Sequence, residues 1–182
     1  ASRRLERAGA PAFAAAAPAA PPDTVTNDQP ISAWPELAAS MEAWSRLFET
    51  ARTRWLRVDE TAALYAPAVR FRGSGSGPGA EHIADYWSSL FLRNGGTFRV
   101  DASHARWRAE TLDRGRREHQ GCAAAPDAET AVYLVRVPAE ETDPTRATRA
   151  RDELPCATVR GTYLLRFQRV GGGLRICHDT WS

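Results

Sequence analysis

The chain has 182 residues, 43% hydrophobic and 25% charged, with 24 basic against 22 acidic residues and a net charge of +2. A length and composition of this kind predict one folded domain with a real core. The near-neutral balance excludes a generally basic nucleic-acid binder, though not a local basic face, and no apolar run is long enough to span a membrane as a helix.

All the basic residues are arginine and alanine is abundant, a bias expected of a high-GC genome. Residues 1–33 stand apart: Arg3, Arg4 and Arg7 precede AGAPAFAAAAPAAPPD, a stretch too poor in large apolar residues to form a core. Two readings stay open for it, a linker-like tail or the remnant of an organellar targeting region, which is Arg-rich and acid-poor; Glu6 is the one acid before Asp23. The chain begins at Ala1 and not Met, the expectation for a processed, trimmed or incompletely recorded start. Such a tail is expected to dock on a partner or along its own domain, residues 34–182. The matching localisation is an organelle, chloroplast ahead of mitochondrion, for an algal protein, and the cytoplasm for a bacterial one.

From 34 to 58, Leu37, Met41, Trp44, Phe48, Ala51 and Trp55 step by four and three, one face of a long amphipathic helix, with Ser32 as its cap and Pro35 in its first turn. Asp59 starts a second helix that Pro67 stops. A short strand over 69–72 leads into GSGSGPG, a flexible turn. A third helix over 80–93 buries Ile83, Trp87, Leu90 and Phe91.

From Thr97 the period becomes two, predicting strands at 98–112, 131–137, 158–170 and 174–181, the last two joined by Gly171-Gly172-Gly173. The apolar parity flips near 102–103, as a β-bulge would cause. The stretches 113–130 and 138–157 read as polar surface loops. This order predicts an α+β fold, a curved mixed or antiparallel sheet wrapped around the long first helix.

The blocks ALYAPAVRFRG, GAEHIADYW and GTYLLRFQRVGGGLRICHDTWS resemble the NTF2-like superfamily, and within it the SnoaL-like branch, over roughly residues 34–182. The resemblance implies a cone whose sheet encloses a pocket capped by helices, and a set of roles ranging from cofactor-independent isomerases, dehydratases and polyketide cyclases to non-catalytic assembly subunits. It also implies a pocket lined by Trp44, Phe71, Trp87, Leu165, Phe167 and Ile176, into which Tyr65 reaches.

Strand alternation puts Leu174, Ile176, His178 and Thr180 on one face and Arg175, Cys177, Asp179 and Trp181 on the other. With the apolar pair inward, His178 is expected in the cone beside Tyr65 and Tyr163, the candidate catalytic set if the protein is an enzyme, or a self-satisfied buried group if it is not. His104 and His82 are expected to be exposed, and His119 to lie in a charged loop. No inward carboxylate is expected, since Asp101, Glu110 and Asp179 fall on the polar parity and Ala68 stands where the resembling family commonly has Asp. Asp59, Glu60 and Asp85 are helix-borne acids with ordinary roles as caps or solvated groups. Cys177 reads as a core residue, and a Cys122–Cys156 bridge stays open although the strand layout separates them. No spacing suits a metal or cofactor site.

Opposite the apolar parity stand Arg70, Arg72, Arg106, Arg108, Arg136, Arg160, Arg166 and Arg175, one basic sheet face. Either it is solvated and paired with acids at 126–130 and 139–143, or it docks an acidic protein partner. The expectation drawn from all of this is a non-catalytic accessory or assembly subunit of a larger complex, without cofactor or metal, with a homodimer possible and nucleic acid an improbable partner. The alternative is a small-molecule enzyme of SnoaL-like type acting in the cone.

Overall fold

A computed structural model of the chain describes residues 27–72, 79–122, 128–147 and 157–182. Residues 1–26, residues 73–78 of the GSGSGPG turn and Cys156 lie outside them, and with them the targeting reading and most of the tail. The elements run β1 (Gln29–Pro30), α1 (Pro35–Ala51), α2 (Val58–Ala62), β2 (Tyr65–Phe71), α3 (Ala80–Ser88), β3 (Thr97–Val100), β4 (Arg106–Thr111), β5 (Ala128–Asp143), α4 (Pro144–Ala147), β6 (Ala157–Val170) and β7 (Gly173–Trp181). The strands form one sheet in the order β1-β4-β5-β6-β7-β2, with β3 also on β5. All neighbours are antiparallel except β2 and β7, which run parallel.

The periodicity of α1 sets the core. Leu37, Met41, Trp44, Leu47, Phe48 and Ala51 are buried, and they pack with Phe98, Trp107, Tyr133, Tyr163, Leu165, Phe167 and Ile176 from the sheet. Trp44 stacks on Tyr163 at 5.8 Å and meets Phe48 edge-on at 4.7 Å. This is the expected α+β cone. The end of α1 differs from the sequence reading: the helix stops at Ala51, so Trp55 leaves the apolar stripe and is 39% exposed. Its indole N–H donates to Asp85 at 3.0 Å and Arg93 lies over its ring. The cap of α1 is Trp34, not Ser32, which sits in a preceding 3-10 turn. Ile31 and Trp34 are buried, and Trp34 packs on Trp107 and Tyr133. The last residues before position 34 therefore lie along the domain itself.

The strand readings change in three places. Tyr65 opens β2 and does not end a helix. The parity flip near 102 is a 3-10 turn, Ala102–His104, that splits the expected strand into β3 and β4. The stretch 138–143, read as loop, is the far half of β5: its residues pair with β3 on one side and β6 on the other, so its acids alternate between the two faces of the sheet. Gly171 and Gly172 take positive φ (58° and 81°) in the turn between β6 and β7, which suits glycine because it lacks a Cβ.

Trp44 is fully buried and Trp55 is not, so their truncations should differ. Trp44→Ala should cost about 3–5 kcal/mol, whereas Trp55→Ala should cost about 1 kcal/mol or less, as surface changes do. Urea melts of the two variants check this; equal losses would contradict the placement of α1.

Candidate functional site

The site is organised by a bulge in β7. Phe167 pairs with Ile176 and Arg166 with His178, so Cys177 is an extra residue with no partner in β6. A bulge resets the alternation. Ile176 faces the core, Cys177 and His178 both fall on the outer side, and Asp179 turns inward. Strict alternation predicted the reverse for the last two. His178 is thus not in the cone, and the inward carboxylate thought to be missing is Asp179.

Asp179 is fully buried. Its Oδ2 accepts the Tyr65 hydroxyl at 2.8 Å and its Oδ1 accepts the Tyr163 hydroxyl. Tyr65 in turn accepts the Trp44 indole N–H at 2.9 Å, and Tyr163 accepts Arg72 Nε at 3.1 Å. Tyr65 and Tyr163 are therefore in the cone as expected, but their partner is Asp179. Burial pushes the Asp179 carboxyl up to about 6, although the Tyr163 and Tyr65 hydrogen bonds and the Arg72 charge pull the other way. Burial, with Asp179 adding to it, also pushes both phenols well above 10, so they remain donors.

Arg72 joins this interior, contrary to its expected place on the outer face. Its backbone is left-handed (φ 47°) at the end of β2, and its guanidinium turns back into the cone. It donates to Tyr86 and Glu141 as well as Tyr163, and lies over the rings of Tyr86 and Trp87 at 5.0 and 5.1 Å. Glu141 is a second inward carboxylate, fully buried opposite Phe98 and Val159. Burial by itself would lower the Arg72 pKa, but Tyr163 and Glu141 raise it and hold the cation charged.

The expected lining residues Trp44, Phe71, Trp87, Leu165, Phe167 and Ile176 are all in the core cluster. Trp44, Trp87, Leu165, Ile176, Tyr163 and Asp179 have no surface in contact with water. Chemically, a carboxylate near pKa 6 between two phenols is a proton-transfer set. Here each of its oxygens accepts a tyrosine hydroxyl, and the carboxylate has no exposed surface.

On the other side of β7 the stretch 113–122, read as a surface loop, is a strap across the outer face. A disulfide joins Cys122 to Cys177, and both residues are fully buried. This replaces the free core Cys177 and the open Cys122–Cys156 pairing; the strand layout gave no hint of it because the strap's course was not legible. Closing a sequence separation of 55 is worth about 4 kcal/mol in the chain-entropy account. A Cβ at Gly121 would overlap the backbone of Cys177, Arg70 and Ala68, so only glycine lets the strap lie this close. Beneath it His119 is fully buried: its Nδ1 accepts the Asp113 N–H at 3.0 Å, and its Nε2 therefore donates to Glu110 at 3.1 Å. Glu110 also accepts Arg166 Nε at 3.0 Å; these bonds hold its carboxyl down to about 2 against the effect of burial. Arg166 donates to His178 Nδ1 at 2.9 Å, and burial followed by the Arg166 charge pushes the imidazole down to about 4.

The eight arginines of the expected basic face divide accordingly. Arg72 is inside and Arg166 is 4% exposed under the strap. Arg108, Arg136 and Arg160 pair with Glu110, Asp28 and Glu140, and Arg70 bonds Gln120. Arg175 bonds the Leu174 carbonyl, and Arg106 has no acidic partner among the described residues. His104 and His82 are exposed as expected, His104 on Asp101 at 2.7 Å. Glu60 caps α2 by accepting the Arg57 N–H, and with Arg54 beside it sits at about 2. Among the described residues no group of three His, Cys, Asp or Glu could hold a metal ion, and no helix is long and apolar enough to cross a membrane.

Asp179 and His178 give stability opposite pH dependences. A carboxyl raised from 3.8 to about 6 makes the fold bind an extra proton, so its contribution falls as pH rises through that window. An imidazole lowered from 6.5 to about 4 makes the fold refuse a proton, so its contribution is lost as pH falls from 6.5. Each displacement corresponds to about 3 kcal/mol, and the two nearly cancel. Relative to the parent, Asp179→Asn should lose stability on acidification from neutral pH to pH ~4, and His178→Gln should gain it. Parallel profiles for all three proteins in thermal melts would contradict both placements.

No family model and no curated protein matches the chain. Solved structures to which it is similar include a Xanthomonas campestris protein named for the calcium/calmodulin-dependent protein kinase II association domain, at 16% identity and TM-score 0.43 over 80% of this chain and 83% of that one. Another is the Kfla4162 protein of Kribbella flavida, at 14% identity and TM-score 0.44 over 81% and 90%. A third is a Streptomyces avermitilis protein of the NTF2-like family named as a dehydratase, at 11% identity and TM-score 0.41 over 84% and 96%. The curved sheet wrapped around α1 carries the assignment of fold: an α+β cone.

Proposed function

We propose that this chain is a non-catalytic accessory subunit that acts by association, with the buried, hydrogen-bonded interior of the cone as its rigid centre and the outer sheet face as its docking surface. The observation that carries this reading is the state of Asp179. A general base must come within hydrogen-bond reach of a substrate proton, whereas each oxygen of this buried carboxylate accepts a tyrosine hydroxyl. The same network supports a structural role, since a satisfied buried polar network fixes one arrangement of the core.

A second reading, a cyclase, isomerase or dehydratase working in the cone, is favoured by the same carboxyl's position near 6 between two phenols. It requires the cone to open and the Arg72 contacts to break. A disulfide with both cysteines buried fits a compartment that oxidises thiols better than a reducing cytoplasm. This favours an oxidising compartment outside the cytoplasm, without distinguishing among them.

The test is the native mass of the protein in an extract of its source, measured by blue-native electrophoresis with an antibody. Association in a complex well above a dimer's mass is expected. Migration as a free monomer or dimer would overturn the subunit reading and favour the enzyme.

A further inference from the structure

The strap leaves half of the outer sheet face uncovered, and that half has an ordered charge pattern. On β5 the outward residues are Arg136, Pro138, Glu140 and Thr142; all but Pro138, which pairs with β6 alone, are in register with a neighbour on both sides. One rung is Arg106–Arg136–Leu164, and four residues further along β5 another is Arg99–Glu140–Arg160. Between them Pro138 is exposed opposite a half-buried Thr162.

The acids on this half are already used. Glu140 holds Arg160, Asp28 holds Arg136 at 2.8 Å, and Asp101 holds Ser103 and His104. Arg99 and Arg106 are both exposed, and neither has an acidic or hydrogen-bonding partner among the described residues. Arg106 also faces Arg136 directly across the strands, and like charges in that position are unfavourable until something compensates them. Arg99 borders an open groove of about 470 Å³ lined by Val100, Pro138, Ala139 and Gly161 together with Arg160, Glu140 and Asp101, the last two already paired. The groove offers small apolar surface and close backbone approach, with one uncommitted cation at its edge.

We infer that this half-face docks an extended acidic segment of a partner protein, lying along β5 over Pro138, with one carboxylate on Arg99 and another on Arg106. The inference rests on the association reading and narrows it to these residues. Arg99 and Arg106 face β5 positions 140 and 136, four residues apart, so they are separated by about 13 Å along the strand. In an extended peptide the same distance separates side chains four positions apart, which point to the same side. Arginine suits the task because its planar fork can hold a carboxylate through two bonds. Arg166 and Arg108, occupied with Glu110 at the edge of the strap, have no part in it.

The test is fluorescence anisotropy with a labelled peptide of alternating valine and threonine carrying two glutamates four positions apart. Binding is expected, weakening with salt, and falling about tenfold or more when Arg99 and Arg106 are both changed to Gln. The double variant should melt like the parent, because both side chains are exposed. A control peptide with glutamines in place of the glutamates should bind at least as weakly as the double variant binds its acidic counterpart. Equal binding of the two peptides, undiminished binding by the double variant, or no binding at all would overturn the inference. None of those results would alter the native mass of the protein in its source, which tests the broader reading separately. Concentration-dependent dimerisation abolished by the same double variant, without peptide binding, would make a second copy the occupant and would equally overturn it.

Discussion

A carboxylate buried without water must be neutralised or answered by donors, and Asp179 is answered by two tyrosines. That requirement links most of the molecule. Tyr65 comes from the start of β2, Tyr163 from the middle of β6 and Asp179 from the end of β7, while Trp44 on α1 donates to the first tyrosine and Arg72 to the second. One hydrogen-bonded network thus ties the helix to three strands of the sheet. Isolated hydrophobic contacts would leave their relative positions less sharply defined.

The bulge at Cys177 is what makes this possible, and it has consequences on both faces. The extra residue turns Asp179 inward and at the same time brings Cys177 and His178 to the outer side. There the sulfur fixes the strap and the imidazole accepts from Arg166 beneath it. The inner carboxyl binds its proton more tightly than usual and the outer imidazole less tightly, each mainly because of burial. Covering one part of the outer sheet also decides what is left for contact: the free surface is the half around Pro138, where the arginines exceed the acids.

Much of the fold was legible because apolar spacing is a direct record of burial. The stripe from Leu37 to Ala51 and the inward set Tyr163, Leu165 and Phe167 are where periodicity put them. Trp55 continues the numerical pattern of α1, but the helix has already ended, and spacing carries no information about that. The site was less legible. Alternation is a reliable guide only until a bulge interrupts it, and nothing in LRICHDTWS marks the residue that is doubled. Arg72 escaped for a related reason: a left-handed backbone at a strand end redirects a side chain that parity would send outward. Glu141, adjacent to Glu140 in an acidic run, looked like loop because its buried partner is an arginine distant in sequence. The disulfide could not be found from spacing, since it depends on a strap whose path is set by Gly121 and His119.

The most direct measurement is an NMR titration of the Asp179 carboxyl, followed through its side-chain 13C shift between pH 3 and 8 in the oxidised protein and assigned by the Asp179→Asn variant. The account predicts a midpoint near 6. A midpoint at or below the ordinary aspartate value of about 4 would place this carboxylate in water on the outer face, and the bulge-centred account would be wrong.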